Sequence, residues 1–408
     1  MLAALYSQSC EAHNSTMHSI SEPVLHCQKD AFSLPEDLHY LNCAYMSPIS
    51  KAVEAAGLRG LQRKAVPTHI PPEAFFTDSQ ILRQRFAALV NAPAARIAII
   101  PAASYGIATV AKNLELQAGQ NIVVSQAQFP SNVYAWRHFE QQGVIIRTVA
   151  AAQAKHYPGR GRDWNQALLE AIDEATAVVA LPHVHWADGT LFDLEAIGAK
   201  ARQVGAALII DGTQSVGALP FDVAAVQPDA LIVAGYKWLM GPYGLGLAYY
   251  GPRFDQGSPL EDSWITRRGS EDFSRLVEYQ DAYAEGAARF DMGERSNPIL
   301  IPMLIQALDD IAERGVAAIQ HYCAQLLQGV ADEIGALGYQ LEDAQYRSSH
   351  LFGIRLGEAV DMAKLQAALL RHNIATSLRG DALRVSPNVY NDAEDMAALL
   401  QALREARG

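Results

Sequence analysis

The chain of 408 residues carries a formal net charge of −12, with half of its residues hydrophobic and 19% charged. That length supports a large core and two or three domains, and the acidity argues against nucleic acid or an anionic membrane as partner, since both call for basic patches. Four scattered cysteines (Cys10, Cys27, Cys43, Cys323) form neither a disulfide framework nor a zinc motif, and no stretch approaches the roughly 18 apolar residues of a membrane span. A reducing cytoplasm is the expected location.

Residues 1–30 are polar and aperiodic and read as a disordered N-terminal extension. FSLPEDLHYLNCAYMSP follows as an extended lead-in, and amphipathic helices are expected near 51–65 and 72–90. From 96 to 250, apolar runs (RIAII, NIVV, VIIRTV, TAVVALP, AALIID, DALIVAG, GLAYY) alternate with helical stretches. This rhythm predicts an α/β domain over 31–295, with a mostly parallel sheet covered by helices, whose ligand lies beyond the C-terminal strand ends. Residues 252–290 read as a polar excursion with short strands, a helix restarts near Pro298, and a long helix is expected over 315–337. Residues 296–408 complete the reading as a small C-terminal α+β domain.

Three of those strand ends carry polar or aromatic residues. Ala103–Ser104–Tyr105–Gly106 opens a helix, whose free N–H groups suit a phosphate, although a serine there is equally an N-cap. Phe129 follows NIVV, and His183, His185 and Trp186 follow TAVVALP. The two histidines alternate, but no third ligand stands at metal spacing, so no metal is expected.

The most informative stretch is DGTQSVGALPFDV followed by PDALIVAGYKWLMGPYGLG. An aspartate at one strand tip and a lysine on a glycine-flanked loop after the next suit pyridoxal 5′-phosphate (PLP). Lys237 would form a Schiff base with the aldehyde, Asp211 would keep the pyridine nitrogen protonated, and Gln214 would reach the phenolic oxygen. Taken alone, an Asp/Lys pair is ordinary salt-bridge chemistry. The longer pattern resembles the lysine region of the class V aminotransferase superfamily of fold-type I PLP enzymes, which includes cysteine desulfurases, kynureninases and isopenicillin N epimerase-like proteins. The resemblance covers about residues 35–400.

That resemblance implies roles for further residues. Ser104, with Tyr105 beside it, and Tyr236 would hold the phosphate, and Phe129 would stack on the pyridine face. Tyr45, His185 and Trp186 would lie over the substrate, while Arg384 would fork onto its α-carboxylate. Ser296 and Asn297 would cross a homodimer interface to the neighbouring phosphate. IATSLRGDALRV lacks the nucleophilic cysteine that desulfurases carry there, so persulfide chemistry by that route is not expected. The expectation is a PLP enzyme acting on a small amino acid, with lyase-type cleavage at the β-carbon favoured. Transamination and epimerisation are the enzymatic alternatives, and an idle PLP-fold binding or regulatory protein is the alternative of another class.

Overall fold

The computed structural model describes residues 25–151, 158–357 and 360–407. Most of the expected N-terminal extension, residues 1–24, lies outside the described residues.

The chain begins with β1 (His39–Tyr40), α1 (Lys51–Ala65) and α2 (Ala74–Leu89). Ser50 starts α1 by accepting from Val53 N, as an N-cap serine does. Then come β2 (Ile97–Ile100), α3 (Ala103–Lys112), β3 (Asn121–Ser125), α4 (Ser131–Arg137), β4 (Ile145–Val149), α5 (Arg160–Ala171), β5 (Thr176–Pro182) and α6 (Leu194–Val204). They are followed by β6 (Ala207–Asp211), the short α7 (Val223–Val226), β7 (Ala230–Ala234) and β8 (Gly246–Tyr250). The seven strands form one sheet in the order β2-β8-β7-β6-β5-β3-β4, in which β8 runs antiparallel to both neighbours and the other pairs are parallel. Every residue of β2, β3, β6, β7 and β8 is buried, which is why these strands read as continuous apolar runs. Helices cover both faces and bury two apolar cores, one on each side.

Beyond β8 the expected short strands are missing among the described residues. Residues 252–290 form single 3-10 turns and one isolated bridge between Arg267 and Tyr283, because the polar stretch has no apolar face with which to pair. α8 (Leu300–Arg314) packs Ile301, Leu304 and Ile311 into the core of the large sheet, so the division expected at 295/296 runs between packed neighbours. The single helix expected over 315–337 is two, α9 (Val316–Leu327) and α10 (Val330–Ala336), broken where Gly329 takes φ +77°.

The C-terminal part has its own core around β9 (Phe352–Arg355), α11 (Met362–Arg371), β10 (Ile374–Ala375), β11 (Ser377–Arg379), β12 (Ala382–Val385) and α12 (Ala393–Arg407). β11, β12 and β9 make an antiparallel sheet, with β11 and β12 joined as a hairpin through Gly380 (φ +61°) and Asp381. β1 pairs in parallel with β10, bringing the start of the chain onto this sheet. The contact continues where Cys43 N donates to Ser386 O (3.1 Å), Ala44 N to Ser386 Oγ (3.0 Å) and Ser377 Oγ to Asn42 Oδ1 (2.9 Å). Among the described residues no helix is long and apolar enough to cross a membrane.

Candidate active site

The parallel strands deliver their C-terminal loops to one edge of the sheet, and antiparallel β8 begins there. A cavity of about 260 Å³ lies at this edge, with a second of about 380 Å³ beside it. Phe129, Trp186, Tyr236, Lys237 and Tyr243 line both, so the two form one site with a deep and an outer compartment.

Asp211 ends β6 at the floor of the deep compartment, where its Oδ1 accepts from Thr213 N at 3.0 Å. Burial pushes its carboxyl pKa up, opposed by the hydrogen bonds from Thr213 and by the charge of Lys237. Thr213 Oγ1 also accepts from Ala234 N at 3.2 Å, tying the aspartate's loop to the end of β7, just before Lys237. Gly217 reinforces the tie. Its φ is +105°, and a Cβ there would stand 2.3 Å from the carbonyl oxygen of Trp238, so only glycine lets the two loops approach so closely.

Lys237 is buried, and its amine makes no hydrogen bond or ion pair among the described residues. Its Nζ lies 5.4 Å from the centre of the Phe129 ring. Burial pulls the amine pKa down to about 8; Asp211 resists this, while Arg384 and Arg379 reinforce it. A lysine of this kind is neutral at mildly alkaline pH and is available as a nucleophile or base.

The other expected cofactor residues of the deep compartment are Ser104 at the start of α3, Phe129, Gln214 and Tyr236. The first N–H groups of a helix have no intrahelical partner, so the start of α3 presents donors and a positive dipole end to this space. Gln214 is held on both sides, its Nε2 donating to Ala44 O (3.1 Å) and its Oε1 accepting from Trp238 Nε1 (2.8 Å), which leaves one amide hydrogen for a ligand.

The outer compartment holds Tyr45, Trp186 and Arg384. Arg384 is 1% exposed; its Nη1 donates to Trp186 O at 2.9 Å, while Nε and Nη2 are buried without a partner. Trp186 is itself fixed by Nε1 donating to Ala127 O (2.7 Å) and by an edge-to-face contact with Phe129.

Four expected site residues lie elsewhere. His185, expected over the substrate, is 1% exposed and lines neither compartment; its ring sits between Asp188 Oδ1 (3.1 Å) and Gln126 O (3.2 Å), where it braces the loop. Tyr105, expected at the phosphate, turns its hydroxyl to Glu261, and its N–H is used by Ala102 O. Ser296 Oγ donates to Phe75 O, and Asn297 Oδ1 caps α8 by accepting from Ile299 N and Leu300 N. Neither Ser296 nor Asn297 lines the cavity within one chain. Sequence reasoning missed Thr213, Tyr243 and Arg379, all of which line the site. Thr213 is legible as the residue just before Gln214 in the Asp–Gly–Thr–Gln run, whereas Arg379 becomes visible only through the hairpin register.

The residues fit PLP. An unpaired buried amine suits the aldehyde, a buried carboxyl suits the pyridine nitrogen, a helix N-terminus with a serine suits the phosphate, and an aromatic ring suits the face. Among the described residues no group of three or more His, Cys, Asp or Glu side chains is arranged to hold a metal.

The family model for aminotransferase class V matches residues 69–399. An uncharacterized aminotransferase of Bacillus subtilis, YcbU, is 26% identical over 78% of this chain and 81% of its own length. Isopenicillin N epimerase of Streptomyces clavuligerus is 24% identical over 80% of this chain and 84% of its own. A variant of the cystine C–S lyase C-DES, solved with glycine covalently linked to its PLP cofactor, superposes with a TM-score of 0.79. That match covers 93% of this chain and 99% of the other at 18% identity, and it shows the shared fold. With the family match spanning most of the chain, this protein is a PLP-dependent enzyme of the aminotransferase class-V family.

Proposed function

We propose that the enzyme binds a small amino acid by its α-carboxylate on Arg384 and cleaves it at the β-carbon, as a lyase. The observation that carries this reading is the guanidinium of Arg384, buried with two nitrogens unpartnered in the compartment that Lys237 shares. A buried arginine without a carboxylate is costly, and a bidentate anion satisfies it.

PLP, when bound, supplies the aldehyde that captures the substrate amine and the ring that accepts electrons from its α-carbon. Lys237 would hold the aldehyde at rest and, once displaced by substrate, take the proton from the α-carbon as general base. Its lowered pKa suits that task near neutrality. Asp211 would hold a proton at the pyridine nitrogen. Phe129 and Trp186 would cover the reacting face and exclude water, and Arg384 would fix which bond at the α-carbon stands against the ring.

Persulfide transfer lacks its nucleophile here. No cysteine lines either compartment among the described residues. Cys43 and Cys323 are buried, and burial pushes the Cys43 thiol up to about 11 and the Cys323 thiol higher still. The test is an amino-acid screen that follows keto acid and ammonia together. Release of both without an amino acceptor supports the lyase. Keto acid that appears only when an acceptor is added points to transamination, and loss of α-deuterium with no released product points to epimerisation. Either result overturns the lyase reading.

We further propose that two chains assemble as a dimer in which Ser296 and Asn297 serve the partner's phosphate site. Mixing a Lys237→Ala chain with a Ser296→Ala, Asn297→Ala chain tests it. Partial recovery of activity supports the shared site. No recovery, with subunit exchange shown by a label, overturns it.

A further inference from the structure

The hairpin of β11 and β12 contributes a second guanidinium to the outer compartment. Its register pairs Ser377 with Arg384 and Arg379 with Ala382. Cross-strand partners point to the same face and successive residues alternate, so Arg379 and Arg384 project from one face as diagonal neighbours. Both line the compartment that ends at Lys237. Arg379 is held there by its Nη1 donating to Leu378 O (2.7 Å) and by lying over the Trp186 ring, 5.6 Å from its centre.

Like charges brought to one face destabilise a hairpin unless an anion lies between them. No aspartate or glutamate lines the outer compartment, and Arg379 forms no ion pair among the described residues. The remaining lining is aromatic or apolar, apart from the amine of Lys237. One anion satisfies Arg384, and Arg379 remains for another. Diagonal neighbours on a hairpin stand roughly 7–8 Å apart, so Arg379 is placed for a group beyond the carboxylate that the fork of Arg384 holds.

We propose that Arg379 holds a second anionic group, so that the substrate is an amino acid whose side chain carries its own negative charge. This rests on the reading of Arg384 as the holder of the α-carboxylate. Trp186 links the two positions, its carbonyl orienting Arg384 and its ring supporting Arg379, so the spacing between the two anions is set by one residue.

The experiment measures binding to the PLP-loaded enzyme by calorimetry, using two isosteric pairs: L-aspartate against L-asparagine and L-glutamate against L-glutamine. In each pair shape is constant and only the charge changes. The wild type is expected to bind the acid of at least one pair about tenfold or more tightly than its amide. Arg379→Gln should erase that ratio while leaving amide affinity and PLP content near wild type and the melting temperature of the ligand-free protein no lower, and Arg379→Lys should keep part of it. A wild type that binds no acid better than its amide overturns the proposal. So does an Arg379→Gln variant that weakens acid and amide equally, which would make Arg379 a wall of the compartment. Arg384→Gln separates the two readings. If it weakens all four ligands while Arg379→Gln leaves the acid preference intact, only the second-anion proposal fails. If Arg384→Gln weakens none, the assignment of the α-carboxylate fails and the second-anion proposal falls with it.

Discussion

The main-chain carbonyl of Trp186 accepts a 2.9 Å hydrogen bond from Nη1 of Arg384, and this is the bond that fixes a guanidinium whose other nitrogens are buried and unpartnered. The recognition proposed for Arg384 and the stability of the fold therefore oppose each other at this position. Arg384→Met should raise the melting temperature of the ligand-free protein, by about 1–3 kcal/mol of stability, because a buried charge with no carboxylate partner is replaced by an apolar chain. The same change should weaken substrate by about 2–5 kcal/mol, read as a fall in kcat/KM. Loss of both stability and activity would show that the arginine is satisfied by the protein itself.

Lys237→Ala should remove covalent cofactor attachment. Borohydride reduction of the wild type should fix PLP to the peptide containing Lys237. Label on a different lysine would contradict the assignment, as would turnover by the variant.

The pH dependence follows from the burial of Lys237. A free lysine stays an ammonium until pH 10.5, whereas this amine loses its proton near 8. The rate of covalent PLP capture by the apoenzyme should therefore rise as pH passes upward through about 8 and level off above it. Asp211 raises the Lys237 pKa, so Asp211→Asn should move the midpoint downward. A midpoint near 10, or an upward move, would show that the amine is not buried as described.

Thr213→Val should cost about 1–3 kcal/mol, because it strands the Ala234 N–H that Thr213 Oγ1 accepts and loosens the carboxyl of Asp211. Denaturant unfolding gives the first effect, and PLP affinity, expected to fall several-fold, gives the second. Unchanged PLP affinity would mean that the aspartate is positioned by its strand alone.

Cys43→Ser and Cys323→Ser should leave catalysis largely intact, at a stability cost of about 1–3 kcal/mol for a hydroxyl placed in a buried thiol's position. Activity lost in either variant that still folds and binds PLP would restore a thiol mechanism.

The central sheet was legible because burial on both faces writes itself as unbroken apolar runs, and β5 and β6 end within the runs TAVVALP and AALIID. Lys237 and Asp211 were legible for the same reason, since each sits where such a run stops. Other features depend on tertiary partners that no local pattern announces. His185 reads as a pocket residue until Asp188 and the Gln126 carbonyl take both of its ring nitrogens. Ala127 adopts φ +50°, which its residue type does not advertise; the Trp186 indole bonded to its carbonyl helps to hold it there. Arg379 shares a face with Arg384 only through the register of a hairpin whose turn, Gly380–Asp381, carries no apolar signal.

The pairing of β1 with β10, and of Asn42, Cys43 and Ala44 with Ser377 and Ser386, means that opposite ends of the chain wall one compartment. During synthesis the lysine and aspartate leave the ribosome before Arg384 exists, so each nascent molecule carries its lysine before it has the wall that helps to lower its basicity. Proteolytic clipping of the C-terminal hairpin would return a mature molecule to that condition. The amine would be more open to bulk water, and its basicity would climb back towards that of an ordinary lysine. Contact between the two ends thus ties the lowered basicity of Lys237 to an intact C-terminal hairpin.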